Sequence, residues 1–398
     1  MCYCQNTTNT DVNMKDNRRD FLKKSASIAA ALSVGGINTA LSNPIAQSVE
    51  QTLELNVLVK DAGMEMSNAY FSGMDANRQL IELAKQMGAF GAIAGIDMRL
   101  SGLTDAKPWE YNAIMGVRES WKKVGLNYNT VEGPPSLGEK TKLGLEGRDE
   151  EIANFITFMK NLKRSGVDVI CYNWMPVISW ARTQMDRPGR GGALVTAFDY
   201  EEIKNRPLTK YGEVSPESMW KNLEYFLKAV VPEAEKIEMK LALHPDDPQV
   251  NSIQGIPRIM NTVENFDRML KIMPSDFNGV TLCQGNFSLM GADIPSLVKR
   301  WGKAGKIHFV HFRNVQDLSG VLPSTKFTET FHDEGQIDMY AAMKAYYDIG
   351  FKGPIRADHV PTMAGEENTR PGYMTLGNLF AIGYMRGLAE AVAKEKRI

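Results

Sequence analysis

Residues 307–314 read IHFVHFRN, and the placement of this run decides the fold. Aromatic and β-branched residues without Gly or Pro mark a β-strand. Within it, His308 and His311 are two of the chain's five histidines. The same kind of run recurs along the chain. Strands are expected at Asn68–Met74, Gly91–Ile96, Leu126–Val131, Val167–Asn173, Lys240–His244, Gly279–Cys283, Lys306–Val315 and Pro354–His359. Amphipathic helical patterns lie between them, among them NRQLIELAKQMG, RDEEIANFITFMKNLKRSG, SPESMWKNLEYFLKAVVPEAEKIE and MYAAMKAYYDIG, and LGNLFAIGYMRGLAEAVAKEK follows the last strand. Several end in glycine, the usual helix stop.

Strands alternating with helices to this number predict an α/β protein, a (β/α)8 TIM barrel spanning residues 50–398 as one catalytic domain. A doubly wound open sheet is the rival, but its Gly-rich first turn is absent. Residues 178–215 are too long and irregular for a simple βα loop. They predict an insertion over the C-terminal mouth of the barrel, where substrate-binding loops sit.

In such a barrel, functional side chains come from the C-terminal strand ends. The fifth strand ends in His244, the sixth in Cys283, the seventh in HFRN with His311, and the eighth in Asp358-His359. Imidazole, thiolate, imidazole and carboxylate suit a divalent transition metal. Strand alternation separates the two histidines of the opening run. His311 and Arg313 face one side, whereas His308, Val310 and Phe312 face the other. His311 is therefore the candidate ligand and His308 a packing residue. Cys171, in VICYNW, is assigned a packed thiol. The aspartates of HPDDP either orient His244 or make a turn.

A metal in the mouth suggests a Lewis acid holding an oxygen-rich substrate, so that an adjacent C–H can be deprotonated. His359 and Tyr373 are the candidate acid and base, their roles interchangeable at this stage. Arg313 and Arg182, as a carboxylate clamp, and Asn173 are the candidate substrate-binding residues.

Net charge is −1 and no basic patch stands out, so nucleic acid is not an expected partner. The N-terminal NRRDFLKKSASIAAALSVGGINTALS, residues 17–42, reads as an export leader within a targeting segment 1–46. Paired arginines and modest hydrophobicity resemble a twin-arginine signal, predicting a periplasmic or exported protein; without a working signal the protein would be cytoplasmic. Its apolar run is too short to span a bilayer, so no stable membrane association is expected. Cys171 and Cys283 alone follow this segment, too few for a disulfide scaffold.

Seven stretches together resemble the mannonate dehydratase family: CYNWMPVISWARTQ, LALHPDDP, NGVTLCQGN, IHFVHFRNV, TFHDE, GFKGPIRADHV and PGYMTLGNLFAIGYMRGL. The resemblance implies a (β/α)8 barrel and Mn²⁺, with Fe²⁺ or Co²⁺ also suited to the donor set. It implies His244, Cys283, His311 and Asp358 as metal ligands, and His359 and Tyr373 as the acid/base pair. The implied reaction is loss of water from D-mannonate, or a related aldonate, to give 2-keto-3-deoxy-D-gluconate in hexuronate (glucuronate) catabolism. The implied partner is a small-molecule sugar acid, and a homo-oligomer is expected. The chain departs from the family pattern in substrate-facing loops: Val360 follows Asp-His, CQGN replaces Cys-x-Gly-Ser, and the stretch after TFHDE is short. Two alternatives stand beside this reading. One is a sugar isomerase or epimerase of the xylose-isomerase-like kind, disfavoured by the cysteine. The other is a non-catalytic sugar-acid-binding barrel, disfavoured by the presence of both His359 and Tyr373.

Overall fold

The computed structural model describes residues 64–71 and 73–397. Residues 1–46, expected to be a targeting segment, and their paired arginines lie outside the described residues. In chain order the strands are β1 (Glu65–Ala69), β2 (Gly91–Ala94), β3 (Asn127–Glu132), β4 (Val169–Asn173), β5 (Gln184–Pro188), β6 (Leu194–Asp199), β7 (Lys240–His244), β8 (Ser252–Ile253), β9 (Ile256–Pro257), β10 (Asn278–Cys283), β11 (Ile307–Phe312), β12 (Val315–Asp317), β13 (Lys326–Glu329) and β14 (Pro354–Ala357). Eight of them close a parallel barrel in the order β1-β14-β11-β10-β7-β4-β3-β2. Helices follow these strands, the longest being Arg148–Ser165, Pro216–Ile237 and Thr375–Arg397. The expected (β/α)8 barrel is the observed fold.

Local signals explain the helix boundaries. Ser215, Thr262, Asp293 and Asp338 each cap a helix by accepting from a backbone N–H three residues on. Gly166 closes Arg148–Ser165 in the left-handed region, at φ 90°.

Alternation along β11 divides two packing layers. Val310 and Phe312 join the large apolar layer between barrel and helices, with Leu241, Leu282 and Ile355. Phe309 turns inward and packs with Ile93, Val169, Cys171 and Ala242 in the barrel interior. His308 lies on the helix side. Its Nδ1 is 3.0 Å from the Leu241 carbonyl and its Nε2 3.0 Å from that of Asp276. A Cβ built on Gly279 would lie 2.5 Å from the His308 ring, so glycine there makes room for the imidazole.

Two expectations are corrected. The first strand runs Glu65–Ala69, not Asn68–Met74. Tyr70 and Phe71 have left the strand, and Phe71 stands at the barrel mouth. Residues 178–215 are also more regular than expected. β5 and β6 come from this insertion and pair with β13 and β12 in a four-stranded antiparallel sheet. The second half of that sheet follows β11, so two distant segments build one cap.

Candidate metal and catalytic site

Barrel register brings the donor residues to one height. Cys283 lies beside His311 across β10 and β11, and His311 lies beside Arg356 across β11 and β14. Asn173 lies beside His244 across β4 and β7. Parallel strands in one register aim alternate side chains at the same level of the interior. Asp358 follows β14 directly, two residues beyond Arg356 and on the same side.

The donor atoms converge. One donor atom each from His244, Cys283 and His311 lie within 4.8 Å of one another. His244 Nε2 is 3.1 Å from His311 Nδ1. Asp358 Oδ2 is 3.5 Å from that His311 nitrogen and 3.7 Å from Cys283 Sγ. Metal–ligand bonds of about 2.0–2.3 Å in a tetrahedron put donors roughly 3.3–3.8 Å apart. These three separations sit at or just below that range and the other His244, Cys283 and His311 donor separations stay within 4.8 Å, so the residues fit a divalent cation.

Tautomers point the same way. His244 Nδ1 donates to the Pro245 carbonyl at 2.7 Å, which leaves Nε2 with its lone pair toward the cluster. His311 Nε2 faces Glu132 Oε1 at 3.4 Å, so Nδ1 is the nitrogen turned to the cluster. Burial and the Arg356 charge both oppose a proton on His311, yet Glu132 and Asp358 outweigh them and raise it to about 9. A field that favours a proton at this point favours any cation. A second triplet, Glu132, Cys171 and His311, also lies within 4.8 Å. There Arg356 already pairs with Glu132, at 2.9 and 3.1 Å, and burial pushes the Cys171 thiol well up. Positive charge is thus already supplied to the second triplet. Cys171 packs as expected, its sulfur accepting from Thr281 Oγ1 at 3.2 Å.

His359 follows Asp358, and alternation would turn it away from the pocket. Its backbone instead adopts φ 42°, in the left-handed region that non-glycine residues rarely enter. Both side chains therefore reach one pocket of about 270 Å³. Tyr373 arrives from the loop after β14, where Val360 N–H donates to the Gly372 carbonyl at 2.8 Å. The His359 ring lies between Trp180 and Tyr373, each centroid 5.4 Å away. Burial and the Asp358 charge push the Tyr373 phenol well up, so it is protonated at neutral pH.

Neither arginine of the expected clamp lines the pocket. Arg182 and Arg313 have fully buried side chains and both pair with Asp247 and Glu329. Their guanidinium groups are committed to protein carboxylates, which is the physical reason they do not form an open substrate clamp. Gly285 of the CQGN stretch permits this packing, since a Cβ there would lie 2.8 Å from Arg313 Nε. Asn173 does line the pocket. Its Oδ1 accepts from Lys142 Nζ and from the Met175 N–H, leaving its amide donors for a ligand.

Sequence and structure comparisons identify the family. The family profile described as D-mannonate dehydratase (UxuA) matches residues 64–210 and 201–398. The chain belongs to the mannonate dehydratase family. The mannonate dehydratase of Thermotoga maritima is 34% identical over 350 residues, covering 79% of this chain and 94% of that protein. A crystal structure of mannonate dehydratase from Streptococcus suis serotype 2 superposes with a TM-score of 0.73 at 30% identity, covering 84% of this chain and 95% of that one. A xylose isomerase domain protein from Alicyclobacillus acidocaldarius shares the fold alone, with a TM-score of 0.54 at 11% identity, over 83% of this chain and 99% of that one.

Sequence reasoning missed Glu132, Arg356, Asp247 and Glu329 as a connected set. Glu132 ends β3, so the strand-end rule applied to early strands finds it. Arg356 is two residues before Asp358 and shares its face. Glu329 carries no such signal, because it lies on a cap strand whose partners are distant in sequence.

Proposed function

We propose that the chain is a metal-dependent hydro-lyase that removes water from D-mannonate, or a closely related aldonate, to give a 2-keto-3-deoxy sugar acid. The observation that carries this reading is one pocket lined by His244, His311, Asp358, His359 and Tyr373, with the Cys283 sulfur 3.7 Å from Asp358 Oδ2. His244, Cys283, His311 and Asp358 would hold the cation, and Mn²⁺ is the ion assigned, since a mixed N/S/O set accepts it. Bound there, a divalent cation supplies Lewis acidity toward the substrate carboxylate and makes the C2 hydrogen removable.

The remaining work falls to side chains. His359 and Tyr373 move the protons, one taking hydrogen from C2 and the other giving a proton to the departing C3 hydroxyl. Loss of both leaves an enol that becomes the 2-keto acid. Asn173 orients substrate with its amide donors, and Trp180 and Phe71 wall the mouth and limit water. Hexuronate breakdown is the assigned setting, since an aldonate is the substrate. We also read residues 1–46 as a twin-arginine export segment; a reporter fused to it that stays in the cytoplasm sinks that reading.

The test is a panel of aldonates incubated with the purified Mn²⁺-loaded protein, scored for 2-keto-3-deoxy acid. Product from D-mannonate is expected. Absence of product from every aldonate, with metal bound, overturns the dehydratase reading.

A further inference from the structure

Glu329 sits on the cap sheet, not on the barrel, yet reaches the His359 ring that lines the catalytic pocket. Its Oε1 is 3.2 Å from His359 Nδ1. The carboxylate is 2% exposed and takes contacts from Arg182 Nη2 at 2.7 Å and from Arg313 Nε and Nη2 at 3.0 and 2.5 Å. Two cations therefore fix its position before any substrate enters. Asp358 Oδ2, at 3.7 Å, also lies on the Nδ1 side of the ring. Arg182 Nη2 also lies 3.4 Å from Nδ1, but it already donates to Glu329 and Asp247, and the Glu329 oxygen is the nearest group to that nitrogen. Facing an acceptor that cannot donate, Nδ1 carries the proton and Nε2 is the one left to act.

We propose that Glu329 is a positioning residue for His359, holding its ring orientation and its Nδ1–H tautomer from the cap sheet. A buried carboxylate behind a proton-transferring imidazole is the arrangement that sets tautomer and stabilises transient positive charge. Three features make this more than charge neutralisation of the arginines. Asp247 also pairs with both arginines. Glu329 alone of those two carboxylates has its oxygen placed within 3.2 Å of the imidazole. The backbone at His359 is held at φ 42°, so the ring has a conformation to be maintained against local preference. The cap sheet then becomes part of the chemistry, with β13 joining the insertion to the acid/base pair.

This inference rests on His359 being a proton-transfer group, and the experiment separates the two claims. Glu329→Gln, Glu329→Asp, His359→Gln and the double variant Glu329→Gln/His359→Gln are compared for kcat, KM, bound metal and melting temperature. Glu329→Gln is expected to lose roughly 100-fold in kcat with KM within about threefold and metal content unchanged. Glu329→Asp keeps the charge and is expected to recover part of that loss. In the His359→Gln background, Glu329→Gln is expected to cost nothing further in kcat. Where His359→Gln falls below detection, the kcat-only loss in Glu329→Gln at full metal content decides. A lower melting temperature accompanies Glu329→Gln because two buried arginines lose a carboxylate. If Glu329→Gln does not fold, the same kcat-only signature is read in Glu329→Asp. A folded Glu329→Gln with kcat within about twofold of wild type overturns the proposal, as does an equal loss in the His359→Gln background; where only Glu329→Asp folds, a kcat within about twofold of wild type overturns it. An active His359→Gln overturns the role of His359 itself.

Discussion

His308 and His311 are three residues apart on one strand and occupy different worlds. His311 turns into the barrel among charged groups and candidate metal ligands, whereas His308 turns toward the helices with its ring nitrogens facing two backbone carbonyls. Strand parity alone separates them, and parity was legible in the sequence. The consequence is measurable. The neutral ring donates to one of those carbonyls, so His308→Phe removes one buried hydrogen bond and should cost on the order of 1–3 kcal/mol of stability. Its kcat should stay within about twofold of wild type, because nothing in the pocket touches it. A fully folded His308→Phe protein without activity would reverse the division between the two rings. The arginines show where residue-level reading fails. Arg182 and Arg313 have the chemistry of a substrate clamp, but only tertiary structure reveals that Asp247 and Glu329 already fill them.

At the scale of elements, most barrel strands were readable because they are short β-branched or apolar runs that alternate with helical patterns. The first was displaced because Tyr70 and Phe71 extend the apolar run past the point where the chain leaves the sheet. The cap sheet was not readable. β5 is polar and exposed, and β13, which supplies Glu329, pairs with a strand more than a hundred positions earlier in the chain. No local pattern encodes a pairing of that range. β10 shows how an element serves the site. Gly279 begins the run that ends in Cys283, and its missing side chain seats the His308 ring. Gly279→Ala places a methyl 2.5 Å from that ring and 2.6 Å from the Lys306 carbonyl. Overpacking of this kind should lower stability by about 1–3 kcal/mol. Thermal unfolding checks it, and an unchanged melting temperature would show that β10 has room to shift.

For the whole molecule, acid stability follows from the buried ion network. Burial alone would raise Glu329, but Arg313, His359 and Arg182 hold it down to about 2, against an ordinary value of 4.5. The unfolded chain therefore binds a proton at Glu329 between those two values while the folded chain does not. Its contribution, on the order of 3 kcal/mol, is complete above about pH 4.5 and is lost as the pH falls toward 2. Denaturant unfolding at stepped pH should show that decline, and Glu329→Gln should flatten it. An identical slope in both proteins would remove Glu329 from the acid response.

In the proposed function, four strand ends hold one cation on which turnover depends. The most direct test of that dependence is a titration of metal-stripped protein with Mn²⁺, following bound metal and 2-keto-3-deoxy acid formed from D-mannonate together. Wild type is expected to regain activity in proportion to occupancy and to saturate at one ion per chain, while Cys283→Ala should bind at least about tenfold more weakly. Full metal binding by Cys283→Ala, or turnover by wild type that is indifferent to occupancy, would contradict it.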